Sequence, residues 1–147
     1  QARNLIRMAD TFSDDETAVQ HLVNAVWLYC RSVMNRLSPP EDDDPLYQQD
    51  VRDVYPMDGD NDEFFTRILA ASPEQRTMLA LKHLSRTLHA LPVSDKFDPK
   101  VLIEADKSIV LLGEFTSICE KIYTSPVPLV YTRHTARFLS LWAVLLP

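Results

Sequence analysis

The sequence predicts an all-α fold, a bundle of five or six helices, and three observations predict it. Apolar residues recur at three- and four-residue steps through most of the 147 residues, which is the spacing of one helix face. Serine or proline stands where several of these runs begin, as at helix starts. Only two glycines occur. That is too few for a fold built on tight β-hairpins or for a glycine-rich phosphate loop.

Two helices are predicted at the amino-terminal end. Residues 1–11 read as one helix with Leu5 on its apolar side. Ser13 followed by Glu16 has the spacing of a capping box, so we expect Ser13 to cap a second helix. That helix runs to about Leu37, because the prolines that follow end it.

The acidity of the chain is concentrated in one segment. Residues 38–63 contain ten acids and one base, whereas the rest of the chain carries more bases than acids. The segment is broken by Pro45 and Pro56 and lacks sustained periodicity. It is therefore predicted to be a solvated loop, inserted into the helical region.

Four further helices follow the acidic loop. A short one spans about 62–71, and Ser72 with Pro73 caps the next, which ends before Pro92. The longest runs from Lys100 to about Thr124 and a last one begins near Leu129. The predicted buried face of the longest helix comprises Leu102, Ala105, Ile109, Leu112, Phe115, Cys119 and Ile122.

The two cysteines and the acidic and histidine clusters do not predict a metal site or catalysis. Cys30 and Cys119 fall in helical runs and are expected in the core. Residues 58–63 alternate acids like a calcium loop, but the motif's sixth and twelfth positions fail at Glu63 and Leu69. Residues 41–44 are similar to the aspartate-rich magnesium motif of helical isoprenoid synthases, but they lack the third acid that this motif requires. His83 and His89 are six residues apart and do not share a helix face. We expect no enzyme, and no cofactor within this chain.

The carboxyl-terminal segment is basic and then apolar. Arg133, His134 and Arg137 precede the run 138–146, which reads as the first half of a membrane helix, so the chain is expected to be a piece of a longer protein. The basic residues are expected at the membrane edge, or lining an anion route. Lys100 is a base at the second position of its helix, where an acid is usual. One interpretation is that Lys100 and the start of the helix together attract an anion, and the other is that Lys100 is an ordinary surface lysine.

Several of these residues carry a resemblance to a known family. The order of Pro126, Pro128, Tyr131, Thr132 and Arg133, continuing through Arg137 to Leu141-Trp142, resembles the signature entering a transmembrane helix of bestrophins, closest to the plant and algal branch. The basic start, residues 3–7, resembles the helix after the pore neck. The pair Asp98-Pro99 has the family's spacing ahead of that signature. Residues 1–147 are thus similar to one helical region, with 126–147 entering the membrane.

The resemblance implies a homopentameric channel through which anions such as chloride or bicarbonate pass passively. It implies no nucleic-acid partner. It places the subunit in a lipid bilayer, and the plant likeness implies the chloroplast thylakoid. A pore constriction follows the Asp-Pro pair in such proteins, at Lys100 or Val101; animal members have an aliphatic residue there. The neck and the family's calcium clusters fall outside this chain. The alternative is a soluble all-helical scaffold whose last helix docks on a partner.

Overall fold

A computed structural model describes residues 1–38, 45–55, 62–92, 99–125 and 129–146. Within these ranges it contains seven α-helices and no strand, which confirms the all-α prediction. In chain order the helices are α1 (Ala2–Phe12), α2 (Glu16–Leu37), α3 (Pro45–Val54), α4 (Asp62–Ala70), α5 (Pro73–His89), α6 (Pro99–Thr124) and α7 (Leu129–Leu145).

The centre of the bundle is the seam between α2 and α5. Both helices carry apolar residues at helical spacing, and these side chains are buried against each other's helix. The long helix α6 lies across α1, α5 and α2, while α3 packs on α2 and α4 packs on α5. The fully buried apolar side chains include Leu5, Leu22, Ala25, Leu28, Ala80 and Leu84.

Local capping explains where the helices begin. Ser72 accepts from the Gln75 amide at 3.5 Å and Pro73 is the first residue of α5, as predicted. The predicted Ser13 cap of α2 is wrong. Asp15 caps α2 instead, because its Oδ1 accepts from the amides of Thr17 and Ala18 at 3.0 and 3.1 Å.

Part of the acidic segment is a helix that docks on the core, which corrects the prediction of a loop. Residues 45–54 form α3, and the side chains of Tyr47 and Val51 on this helix are fully buried. Tyr47 and Val51 are four residues apart, so they share one face of a helix, and α3 packs on α2. The acids and prolines around them made this short apolar pattern difficult to recognise in the sequence.

Both cysteines are exposed, so the prediction that they lie in the core is wrong. Cys30 lies on α2 beside the buried Tyr29, and Cys119 lies on α6 beyond the buried Thr116.

Candidate functional site

Lys100 and Val101, which were predicted at a pore constriction, have different surroundings at the start of α6. Pro99 opens the helix, and its fixed φ suits the first helical position. Lys100 is exposed at the second position, and no acid lies in this first turn. The helix dipole and the Lys100 ammonium therefore add positive potential at the same point. Val101 instead is half-buried and packs against the core.

Val101 belongs to an apolar junction of three helices. It shares a small cavity with residues of α1, the end of α5 and the first two turns of α6. The free space is about 10 Å³ and its lining is apolar, so the junction is dry. Ser13, after α1, adds a hydrogen bond to the Pro92 carbonyl at 3.3 Å. The lining residues are Met8, Ala9, Phe12, Leu88, Leu91, Val101, Leu102 and Ala105.

The second half of α6 presents an apolar stripe that the described residues leave largely uncovered. Phe115 and Ile118 are 52% and 53% exposed, Ile122 is also exposed, and Leu111 is half-buried. These four residues follow four-, three- and four-residue steps, which is the spacing of a helix-packing seam. We call them the α6 stripe. Phe115, Cys119 and Ile122 were predicted on the buried face, and their exposure corrects that prediction.

Helix α7 carries the predicted basic residues and the residues of the sequence signature. Every side chain from Tyr131 to Leu146 is exposed, including Arg133, His134 and Arg137. Arg133 and Arg137 are one turn apart on one face, and Thr132 lies beside Tyr131 before them. Pro126 and Pro128 lie outside the described residues. No helix in the described ranges is both long and apolar enough to cross a membrane.

The interior holds a polar cluster that sequence reasoning missed. Arg76, 2% exposed, donates from Nε and Nη2 to the Ile68 and Leu69 carbonyls at 3.3 and 3.0 Å. Its Nη1 donates to Asn35 Oδ1 at 3.1 Å. The guanidinium thus meets the carboxyl end of α4, where the helix dipole favours a cation. Arg76 lies one turn before the buried Ala80 on α5, and this spacing was the feature of the sequence that indicated a buried position for Arg76.

Tyr47 completes this cluster from α3. Its hydroxyl lies 2.9 Å from Ser32 Oγ, and the Arg76 guanidinium carbon lies 4.7 Å from its ring centroid. Arg31 packs over the same ring at 5.2 Å and its Nε donates to Asp50 Oδ2 at 2.7 Å. Burial raises the pKa of Tyr47, so the hydroxyl stays protonated. With the Tyr47 hydroxyl neutral and the Arg76 guanidinium bound to Asn35 and to the end of α4, the cluster joins α2, α3, α4 and α5.

The described residues hold no group of three or more histidine, cysteine or acidic side chains that could bind a metal ion. His83 is half-buried in an aromatic cluster, whereas His89 is exposed at the end of the same helix. The acidic runs 41–44 and 58–61 lie outside the described residues.

Comparison with known proteins relates the chain to a protein family and to a named protein. A family model described as Bacterial/Fungal Bestrophin protein matches residues 1–147. The chain is also similar to the voltage-dependent chloride channel 2, chloroplastic, of Arabidopsis thaliana, with 30% identity over 79 residues. That alignment covers 54% of this chain and 18% of the relative's length.

Proposed function

The chain belongs to the bestrophin family, and from this premise we propose that it is part of an anion-channel subunit. It supplies the helical region outside the membrane and, at residues 126–147, the entrance to a membrane helix. The observation that carries the proposal is the family match over residues 1–147. The Arabidopsis relative is named a chloride channel, which supports chloride as a permeating ion; bicarbonate follows from the family resemblance. The role is passive transport rather than enzymatic turnover.

We propose Lys100, and not Val101, as the residue that faces permeating anions. Val101 is half-buried in the apolar junction, so its side chain is occupied by contacts within its own subunit. Lys100 is exposed at the positive end of α6. In a pentamer, five such residues form a ring of positive charge that concentrates anions and repels cations. The apolar junction then serves to hold α6 in place.

Reversing the charge at Lys100 should weaken anion selectivity. In bilayer recordings of the full-length protein, Lys100→Glu should lower the anion-to-cation permeability ratio about tenfold or more, because a ring of carboxylates attracts cations. Lys100→Gln should have a smaller effect in the same direction. The measurement is the reversal potential in a salt gradient.

The control carries the same charge change elsewhere. Lys82→Glu, at an exposed position of α5, should leave the reversal potential unchanged. Val101→Ala should also leave it unchanged while reducing stability. If Lys100→Glu behaves like Lys82→Glu, Lys100 does not face the anion path. If the wild-type protein passes no anion current, the channel proposal itself is wrong.

We propose further that the α6 stripe is covered by a neighbouring subunit in the pentamer. Three exposed apolar residues and the half-buried Leu111, at helix-packing spacing and left uncovered by the described residues, support a helical contact. The exposed acids and bases on the same helix, among them Glu114 and Lys121, suit the rim of such an interface.

Charges placed in the α6 stripe should break the oligomer. The double change Phe115→Glu and Ile118→Glu buries carboxylates in the proposed contact, which is too costly without partners. We expect the mass of the purified full-length protein to fall from that of a pentamer toward that of one subunit. Met78→Glu, at an exposed apolar position of α5, is the matched control. A wild-type protein that is monomeric and soluble without detergent would favour the scaffold alternative instead.

The exposed face of α7 is proposed to meet lipid. Its apolar side chains include Phe138, Leu139 and Trp142, and Arg133 and Arg137 precede them on the same helix. Bases before an apolar run and a tryptophan within it suit a membrane interface. The location is proposed to be a membrane, and the word chloroplastic in the name of the Arabidopsis relative supports the thylakoid among candidate membranes.

A further inference from the structure

His83 sits where three helices meet, in a cluster of aromatic rings. Its ring stacks on Phe64 of α4, with centroids 4.5 Å apart and planes at 18°. It meets Phe65 of α4 and Tyr55, directly after α3, edge-on at 6.1 and 6.2 Å. Tyr55 and Phe65 also touch each other at 4.3 Å. The imidazole of α5 therefore contacts rings of α4 and the residue that follows α3 at this end of the bundle.

The carboxyl-terminal and amino-terminal ends of α4 are held in different ways. Arg76 binds the last carbonyls of α4, through Ile68 and Leu69. The amino-terminal end carries Phe64 and Phe65, whose ring contacts include His83. Helix α4 has nine residues and packs mainly on α5. A helix this short depends on such packing, so losing the His83 contacts would free its first turns.

The surroundings of His83 favour the uncharged imidazole. Burial lowers the pKa of His83, and Arg86 on α5 and His21 on α2 lower it further. From α4 it is faced by phenyl rings, and from the end of α3 by Tyr55, whose pKa is raised by burial so that its hydroxyl stays neutral. A charged imidazole would gain some attraction to the Phe64 face. The net shift is still downward, so desolvation and the two neighbouring bases outweigh that gain.

The direction of the shift determines how the contact responds to pH. Since the pKa of His83 is lower in the packed state than when its ring is in water, the released state binds a proton more readily. The contact is at full strength above the ordinary histidine pKa of about 6.5. It weakens as the pH falls through that value.

We propose that His83 is a proton-sensitive latch, whose protonation releases the amino-terminal end of α4 and the end of α3 from α5. The device is conformational and does not depend on ion conduction. It couples mild acid to a local opening at the two helices that flank residues 56–61, while the Arg76 contacts keep the other end of α4 in place.

Hydrogen exchange of the full-length protein tests the latch. Protection factors, corrected for intrinsic exchange, are compared between about pH 7.5 and pH 5 for peptides covering residues 62–70. In the wild type we expect protection there to fall by up to about tenfold per pH unit below 6.5. Peptides from α2 should change much less. The matched control is His89→Gln, exposed on the same helix, which should keep the wild-type response.

Two variants of His83 separate the effect of its ring packing from the effect of its titration. His83→Phe retains a flat ring without a titrating group, so α4 should stay protected at both pH values. His83→Gln should loosen α4 at both values and remove the pH dependence. The proposal is wrong if α4 protection in the wild type does not respond to pH, or if the response persists in either variant.

Discussion

Replacing Tyr47 with alanine should destabilise the protein by about 4 kcal/mol, because a fully buried aromatic side chain is removed from a close-packed site. The change also leaves Ser32 without its hydroxyl partner and takes away the ring that both Arg31 and Arg76 pack against. We expect a lower midpoint of thermal unfolding for the full-length protein, and loss of hydrogen-exchange protection in α3.

Milder changes at and beside Tyr47 separate the ring from its hydroxyl. Tyr47→Phe removes one hydrogen bond and keeps the volume, so it should cost about 1 kcal/mol. Leu46→Ala, next to it on α3 and exposed, should stay within about 0.5 kcal/mol. A Tyr47→Ala protein as stable as the wild type would mean that the acidic segment does not dock on the core.

Replacing Arg76 with alanine should cost about 3 kcal/mol, because three acceptors lose hydrogen bonds to a buried, charged donor rather than because an ion pair breaks. The Ile68 and Leu69 carbonyls and Asn35 Oδ1 would each lose a charged donor. The carboxyl end of α4 would also lose the cation that its dipole favours. We expect a lower unfolding midpoint together with faster hydrogen exchange in α4.

The donor geometry of Arg76 can be tested apart from its charge. Arg76→Lys keeps the charge but lacks the planar fork that reaches three acceptors, so it should recover only a part of the loss. Arg86→Ala, exposed on the same helix, should stay within about 0.5 kcal/mol. A full rescue by lysine would show that charge alone, and not the three hydrogen bonds, stabilises α4.

The helix boundaries could be predicted because they depend on neighbours in the chain. Ser72 with Pro73, and Pro99, begin α5 and α6 through local hydrogen bonds and a restricted φ. The cap of α2 depends on a distant contact as well. Ser13 and Asp15 are both good caps, and Ser13 is drawn instead to the Pro92 carbonyl, a contact 79 residues away in sequence.

Helix α6 shows that apolar periodicity does not by itself determine which residues are buried. Leu102, Ala105, Ile109 and Leu112 were correctly placed against the core, and Phe115 and Ile122 were not. Helical spacing indicates that a residue lies on an apolar face, but α6 has two such faces in its second half. Among the described residues, one of these faces meets α2 and α5, and the other is the α6 stripe.

From the sequence alone came the all-α class, most helix limits and the family, since capping, proline geometry and the order of residues 126–142 are local properties of the chain. The tertiary structure decided which apolar residues are buried, which of Lys100 and Val101 is exposed, and how Arg76, Tyr47 and His83 are paired. The physical reason is distance along the chain. Arg76 meets Asn35 across 41 residues and Tyr29 meets Leu112 across 83, and such contacts leave no periodic trace near either partner.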